Sequence, residues 1–141
     1  KFVRGEGDIS RAARRGMQKV ADVGSTSCHS GPLFTNNEFA AFHYGSDDGV
    51  KSVTGKDDDD HVFRVQSWRN VAMTAPYFHD GSAATLEEAV RTMATVQLGT
   101  KLSNRDVADI VAFLETLTGE APEVSFPVLP RPAGQALNWR D

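Results

Sequence analysis

Thiols are nearly absent: the 141 residues contain a single cysteine, Cys28, so no disulfide can form within the chain. Long apolar runs are also missing, the longest being a handful of residues, which excludes a helical membrane span. Positive charge is neither dominant nor gathered. Fifteen Lys and Arg residues are scattered against nineteen Asp and Glu, leaving a formal charge of -4 and no basic stripe for a phosphate backbone, so nucleic acid is excluded as a partner. Lys1-Phe2-Val3 shows no secretory leader, as a processed or trimmed chain also would not. What remains is an ordinary soluble composition, 40% hydrophobic and 24% charged, with enough length for one core and one domain.

The lone cysteine stands directly before a histidine in Gly24-Ser25-Thr26-Ser27-Cys28-His29-Ser30-Gly31-Pro32. Cys28-His29 is the end of the pattern C-x-x-C-H, in which two thiols add to porphyrin vinyl groups and the histidine ligates iron. Ser25 fills the first cysteine position, and a hydroxyl lacks the acidity and softness that the addition requires. A porphyrin held here hangs from one thioether at Cys28. By itself the dipeptide also suits a small buried thiol.

Around this turn the periodicity predicts helices. Asp8 or Ser10 caps a first one, with Ile9, Ala12, Ala13, Gly16, Met17, Val20 and Ala21 inward and Arg11, Arg14, Arg15 and Lys19 on a solvated face. Thr85-Leu86-Glu87-Glu88 is a capping box that opens a second, carrying Leu86, Ala89, Val90, Met93 and Ala94 inward and ending near Leu98-Gly99. Ser103 to Asp106 caps a third, whose buried stripe is Val107, Ile110, Val111, Leu114 and Leu117, with Gly119 as its stop.

Between the first two helices the pattern breaks. Residues 31 to 60 are rich in turn signals and read as a long wrapping loop, anchored by Phe34, Phe39, Phe42 and Tyr44. Its Asp57 to Asp60 run reads as a solvated loop rather than a calcium cage. Val62 to Val65 reads as a short extended piece, and the stretch through Ala75-Pro76 to Asp80-Gly81 as a structured loop. Four prolines between residues 121 and 141 predict an extended tail packed on the domain formed by residues 1 to 120.

A six-coordinate iron above His29 needs a second axial ligand, for which the chain offers His43, His61, His79, Met17, Met73 and Met93. Periodicity does not choose among them, although Met93 is well placed on an inward helix face. A histidine and methionine pair stabilises ferrous iron and suits electron transfer.

Three segments, Ser67-Trp68-Arg69-Asn70-Val71-Ala72-Met73-Thr74-Ala75-Pro76-Tyr77-Phe78-His79-Asp80-Gly81-Ser82, Thr85 to Val90 and Val111 to Gly119, closely resemble the C-terminal, high-potential haem domain of bacterial dihaem cytochrome c peroxidases. The resemblance covers nearly the whole chain. It implies an all-α cytochrome c-like haem domain with haem c on Cys28, His29 as proximal iron ligand and Met93 as distal ligand. Relatives that modify tryptophan in another protein carry tyrosine at the Met93 position. It also implies an interdomain calcium bound by backbone carbonyls of Thr74 and Pro76, and a periplasmic location.

The implied partners are an N-terminal peroxidatic haem domain and a small soluble donor, a cytochrome c or a cupredoxin, with a homodimer left open. The domain would relay electrons to the haem that reduces hydrogen peroxide to water, and would not itself be peroxidatic. The alternatives are a stand-alone monohaem electron-transfer cytochrome, or a degenerate haem-free domain that serves assembly.

Overall fold

The computed structural model describes residues 7 to 120 and 123 to 126. Ser10 opens α1 (Arg11–Asp22), its hydroxyl accepting from the Ala13 amide as an N-cap does. The short helix α2 (Lys51–Thr54) follows, then α3 (Leu86–Val96) and α4 (Asn104–Glu115). Both later helices carry complete capping boxes: Thr85 with Glu88 and Ser103 with Asp106, each pair satisfying amide donors that a bare helix end leaves open.

The core lies where α1 and α3 meet α4. Val107, Ile110, Val111, Leu114 and Leu117 are buried as their spacing predicts, and Phe113 joins them. Gly16 sits at the crossing of α1 over α4, where a Cβ would fall inside the Asp109 backbone carbonyl. Only a residue without a side chain permits that approach.

Two expectations about α1 change. Ala21 is exposed, because the last turn of the helix turns Val20 and Val23 toward an internal cavity instead. The basic face is not simply solvated either. Arg15 makes a bidentate pair with Asp109 of α4, Nε to Oδ2 at 2.7 Å and Nη2 to Oδ1 at 2.6 Å, while Lys19 reaches Asp106 at 3.0 Å.

The expected all-α class is corrected to helix-rich with a small sheet. Strand β1 (Phe39–Ala41) pairs antiparallel with β2 (Val62–Arg64) in the register Phe39 to Arg64, Ala40 to Phe63 and Ala41 to Val62. Two flanking bonds, Val65 N–H to Glu38 O at 2.9 Å and Phe42 N–H to His61 O at 2.8 Å, lengthen the ladder. The stretch expected as one loop therefore contains β1, α2 and a 3-10 turn at Asp57–Asp59. Strands of three residues are too short to leave a period in the sequence. The extended piece expected at 62 to 65 is β2. Most of the proline-rich tail, Pro122, Pro127, Pro130 and Pro132 included, lies outside the described residues; residues 123 to 126 are exposed and carry no regular structure.

Candidate functional site

The end of α1 delivers the Cys-His turn. Gly24, at φ 87°, takes the left-handed conformation that lets the chain double back into a 3-10 turn over Ser25–Ser27. The Ser25 carbonyl then accepts from the amides of both Cys28 and His29, the latter at 3.0 Å. Backbone bonds therefore hold Cys28 and His29 one turn beyond Ser25, whatever side chain stands at 25. All three residues are half-buried and line one cavity.

The His29 ring is fixed on two sides. It stacks on Trp68 with centroids 4.2 Å apart and planes 17° from parallel. Its Nδ1 lies 3.1 Å from the Phe34 carbonyl oxygen, which can only accept, so Nδ1 carries the proton and Nε2 holds the lone pair. Burial pushes the His29 pKa below its ordinary value, with the Phe34 and Gln66 carbonyls opposing it, and the net effect favours the neutral ring that a metal ligand must be. Phe34 in turn packs edge-on against Phe113 of the core at 5.9 Å. The Phe34 turn is lashed down by Ser67 Oγ donating to Leu33 O at 2.6 Å and Arg69 Nε donating to Pro32 O at 2.9 Å. Trp68 and Arg69 stand in the motif that carries the family resemblance, which by itself gives them no role. Their signal was their place in that motif, and their function follows only from the three-dimensional pairing with residues 29 to 34.

The cavity has a volume of about 1060 Å³, at the top of the roughly 300–1,000 Å³ typical of small-molecule sites. One wall is the Cys-His turn with Trp68. Another is α3, through Val90, Met93 and Ala94, backed by Ile110 and Leu114 of α4. The sheet and the loop from Thr74 to Asp80 close the rest.

Of the six candidate axial ligands, Met93 and His79 line this cavity. Met93 is half-buried on the inward face of α3. His79 is largely exposed, and its Nδ1 lies 2.5 Å from Asp47 Oδ2. Met17 packs against the helical core, Met73 is 74% exposed, and His43 and His61 lie together elsewhere. Thr74 and Pro76 are both exposed on the cavity's loop wall, and the Thr74 hydroxyl is turned back to the Val71 carbonyl at 3.0 Å.

A large, mostly apolar cavity holding a thiol, a neutral imidazole with its second nitrogen anchored to a carbonyl, and a thioether fits a haem. An imidazole anchored in this way through Nδ1 has its other nitrogen oriented to ligate a metal. No helix among the described residues is long and apolar enough to cross a membrane.

No protein-family model matches the chain. It is 42% identical to a cytochrome c551 peroxidase of Nitrosomonas europaea over 135 residues, 89% of this chain and 40% of that protein. To the cytochrome c551 peroxidase of Pseudomonas aeruginosa it is 38% identical over 127 residues, 83% of this chain and 37% of that protein. Among solved structures, a MauG-like protein associated with microbial copper homeostasis superposes with a TM-score of 0.71 at 26% identity, over 84% of this chain and 47% of that one. The chain thus spans about two fifths of the length of the curated relatives it matches.

Proposed function

We infer the function from one premise: the chain belongs to the dihaem cytochrome c peroxidase family, to whose members it is related across most of its own length. In this reading it is the C-terminal, electron-relaying haem domain of such a periplasmic peroxidase. It takes electrons from a small soluble cytochrome c or cupredoxin and passes them to a peroxidatic haem on an N-terminal partner domain. The observation that carries the reading is the meeting of Cys28, His29 and Met93 on one apolar cavity.

Cys28 holds the porphyrin through a single thioether, since Ser25 has no thiol to offer. His29 ligates through Nε2, held in that tautomer by the Phe34 carbonyl and in that plane by Trp68. Met93 supplies a soft sulfur from α3. Bound here, haem contributes a one-electron iron couple that the thioether biases toward the ferrous state. The cavity lining from α3, α4 and the sheet is mostly apolar, and such surroundings would add to that bias by disfavouring the more charged ferric state. The backbone carbonyls of Thr74 and Pro76 would be this domain's share of a calcium site completed by the partner domain.

The oxidised, haem-loaded chain is expected to show a weak near-infrared band from methionine sulfur bound to ferric iron. Met93→Leu should abolish that band and lower the reduction potential while haem remains attached at Cys28. A band that survives in Met93→Leu assigns the ligand elsewhere and refutes the proposed ligation.

A further inference from the structure

At the end of the β1–β2 ladder lie three side chains that the proposed haem site does not use. His43, Asp60 and His61 each present a ligand atom, and these atoms all lie within 4.8 Å of one another. None of the three lines the haem cavity. We propose that His43, Asp60 and His61 form a second metal site, selective for a divalent ion of the zinc type.

The placement follows from backbone bonds at the end of the ladder. The His61 amide donates to Asp48 O at 3.0 Å and its carbonyl accepts from Phe42 at 2.8 Å, so His61 is clamped from both sides at φ 52°. The second of these bonds sets His43, the residue after Phe42, against His61, with ring centroids 5.1 Å apart.

One atom in this group lacks what a buried polar atom needs. Nδ1 of His61 is fully buried and has no hydrogen-bond partner. Asp60 Oδ2 lies 3.1 Å from it, at ion-pair distance. A metal ion shared with the neighbouring carboxylate would satisfy that nitrogen.

The donor set selects the ion. Two imidazoles and one carboxylate suit zinc, with water in a fourth position, and are too nitrogen-rich for calcium or magnesium. A tetrahedral zinc with bonds of about 2.0–2.1 Å has ligand-to-ligand edges of about 3.4 Å, so the three donors must close further. His43 is exposed and free to rotate inward, whereas His61 is fixed. Lys51 sits 3.5 Å from Asp60 Oδ1 but also 3.0 Å from Asp57, so it keeps a partner when Asp60 turns to a metal. The Asp57 to Asp60 run, expected as a solvated loop, then has one member with a task.

The test is calorimetric titration of the full chain with zinc sulfate, followed by X-ray absorption at the zinc edge. One zinc per chain and two imidazoles in its shell are expected. His43→Gln and His61→Asn should each weaken binding at least tenfold, asparagine being chosen because it tolerates the left-handed backbone at 61. An Asp58→Asn variant should bind as the parent does. Circular dichroism confirms that each variant is folded. Parent-like zinc binding by both histidine variants, a zinc shell without imidazole, or no binding by the parent overturns the site. A zinc shell containing sulfur would place the ion at Cys28 instead and likewise overturns the site.

Discussion

Asp109 shows how much one residue can tie together. It occupies an inward position on α4 at 7% exposure, where a free carboxylate would be costly, and Arg15 from α1 neutralises it through two hydrogen bonds. The Arg15 hydrogen bonds hold its carboxyl below the usual value, helped by charge from Arg15 and Arg105, while burial and Asp106 oppose. A carboxylate whose folded pKa is depressed contributes stability that is present above its unfolded value of about 3.9 and is lost as pH falls toward the folded value. The urea midpoint of the parent should therefore fall below about pH 4. Other lowered aspartates, such as Asp106, contribute to the same fall. In Asp109→Asn the midpoint should start lower at neutral pH and decline less steeply on acidification. Parallel curves for the two proteins would show that the pair carries no pH-dependent stability.

At the scale of elements, the crossing of α1 over α4 gives a prediction whose sign depends on which effect wins. Glycine inside a helix costs about 0.5–1 kcal/mol relative to alanine, so propensity alone makes Gly16→Ala stabilising. Packing says the reverse, because the new methyl would overlap the Asp109 carbonyl, a backbone atom that cannot swing aside. Overpacking of this kind costs about 1–3 kcal/mol or more, so a net loss of roughly 1–2 kcal/mol is expected in thermal or urea denaturation. A stabilised variant would mean that the two helices slide apart at little cost.

The same elements show what the sequence made legible. Helices α3 and α4 could be read because caps and apolar spacing are local signals, written within a few residues of one another. The inward face of α3, with Met93 on it, was legible for the same reason. The strands were not, since three-residue elements are defined by their partner. Asp109 was missed because a polar residue beside an apolar stripe reads as solvent-facing, and its partner lies 94 positions away. The stacking of Trp68 on His29, and the meeting of His43 with His61, are likewise products of pairing between distant segments.

For the whole molecule, the arrangement argues against peroxide chemistry by this chain alone. Were His29 and Met93 both to hold the iron, as proposed, no coordination position would be left for peroxide, and the relatives are more than twice as long as the chain. The reduced, haem-loaded chain should therefore be reoxidised slowly on mixing with hydrogen peroxide in a stopped-flow spectrometer, and should sustain no turnover with a reduced donor. Met93→Leu would open the position and should speed reoxidation at least tenfold. Joining the chain to an N-terminal peroxidatic haem domain from a relative should instead restore turnover while Met93 stays in place. Rapid turnover by the unmodified chain would place the peroxide-reducing iron here and reverse the assignment of relay and catalyst.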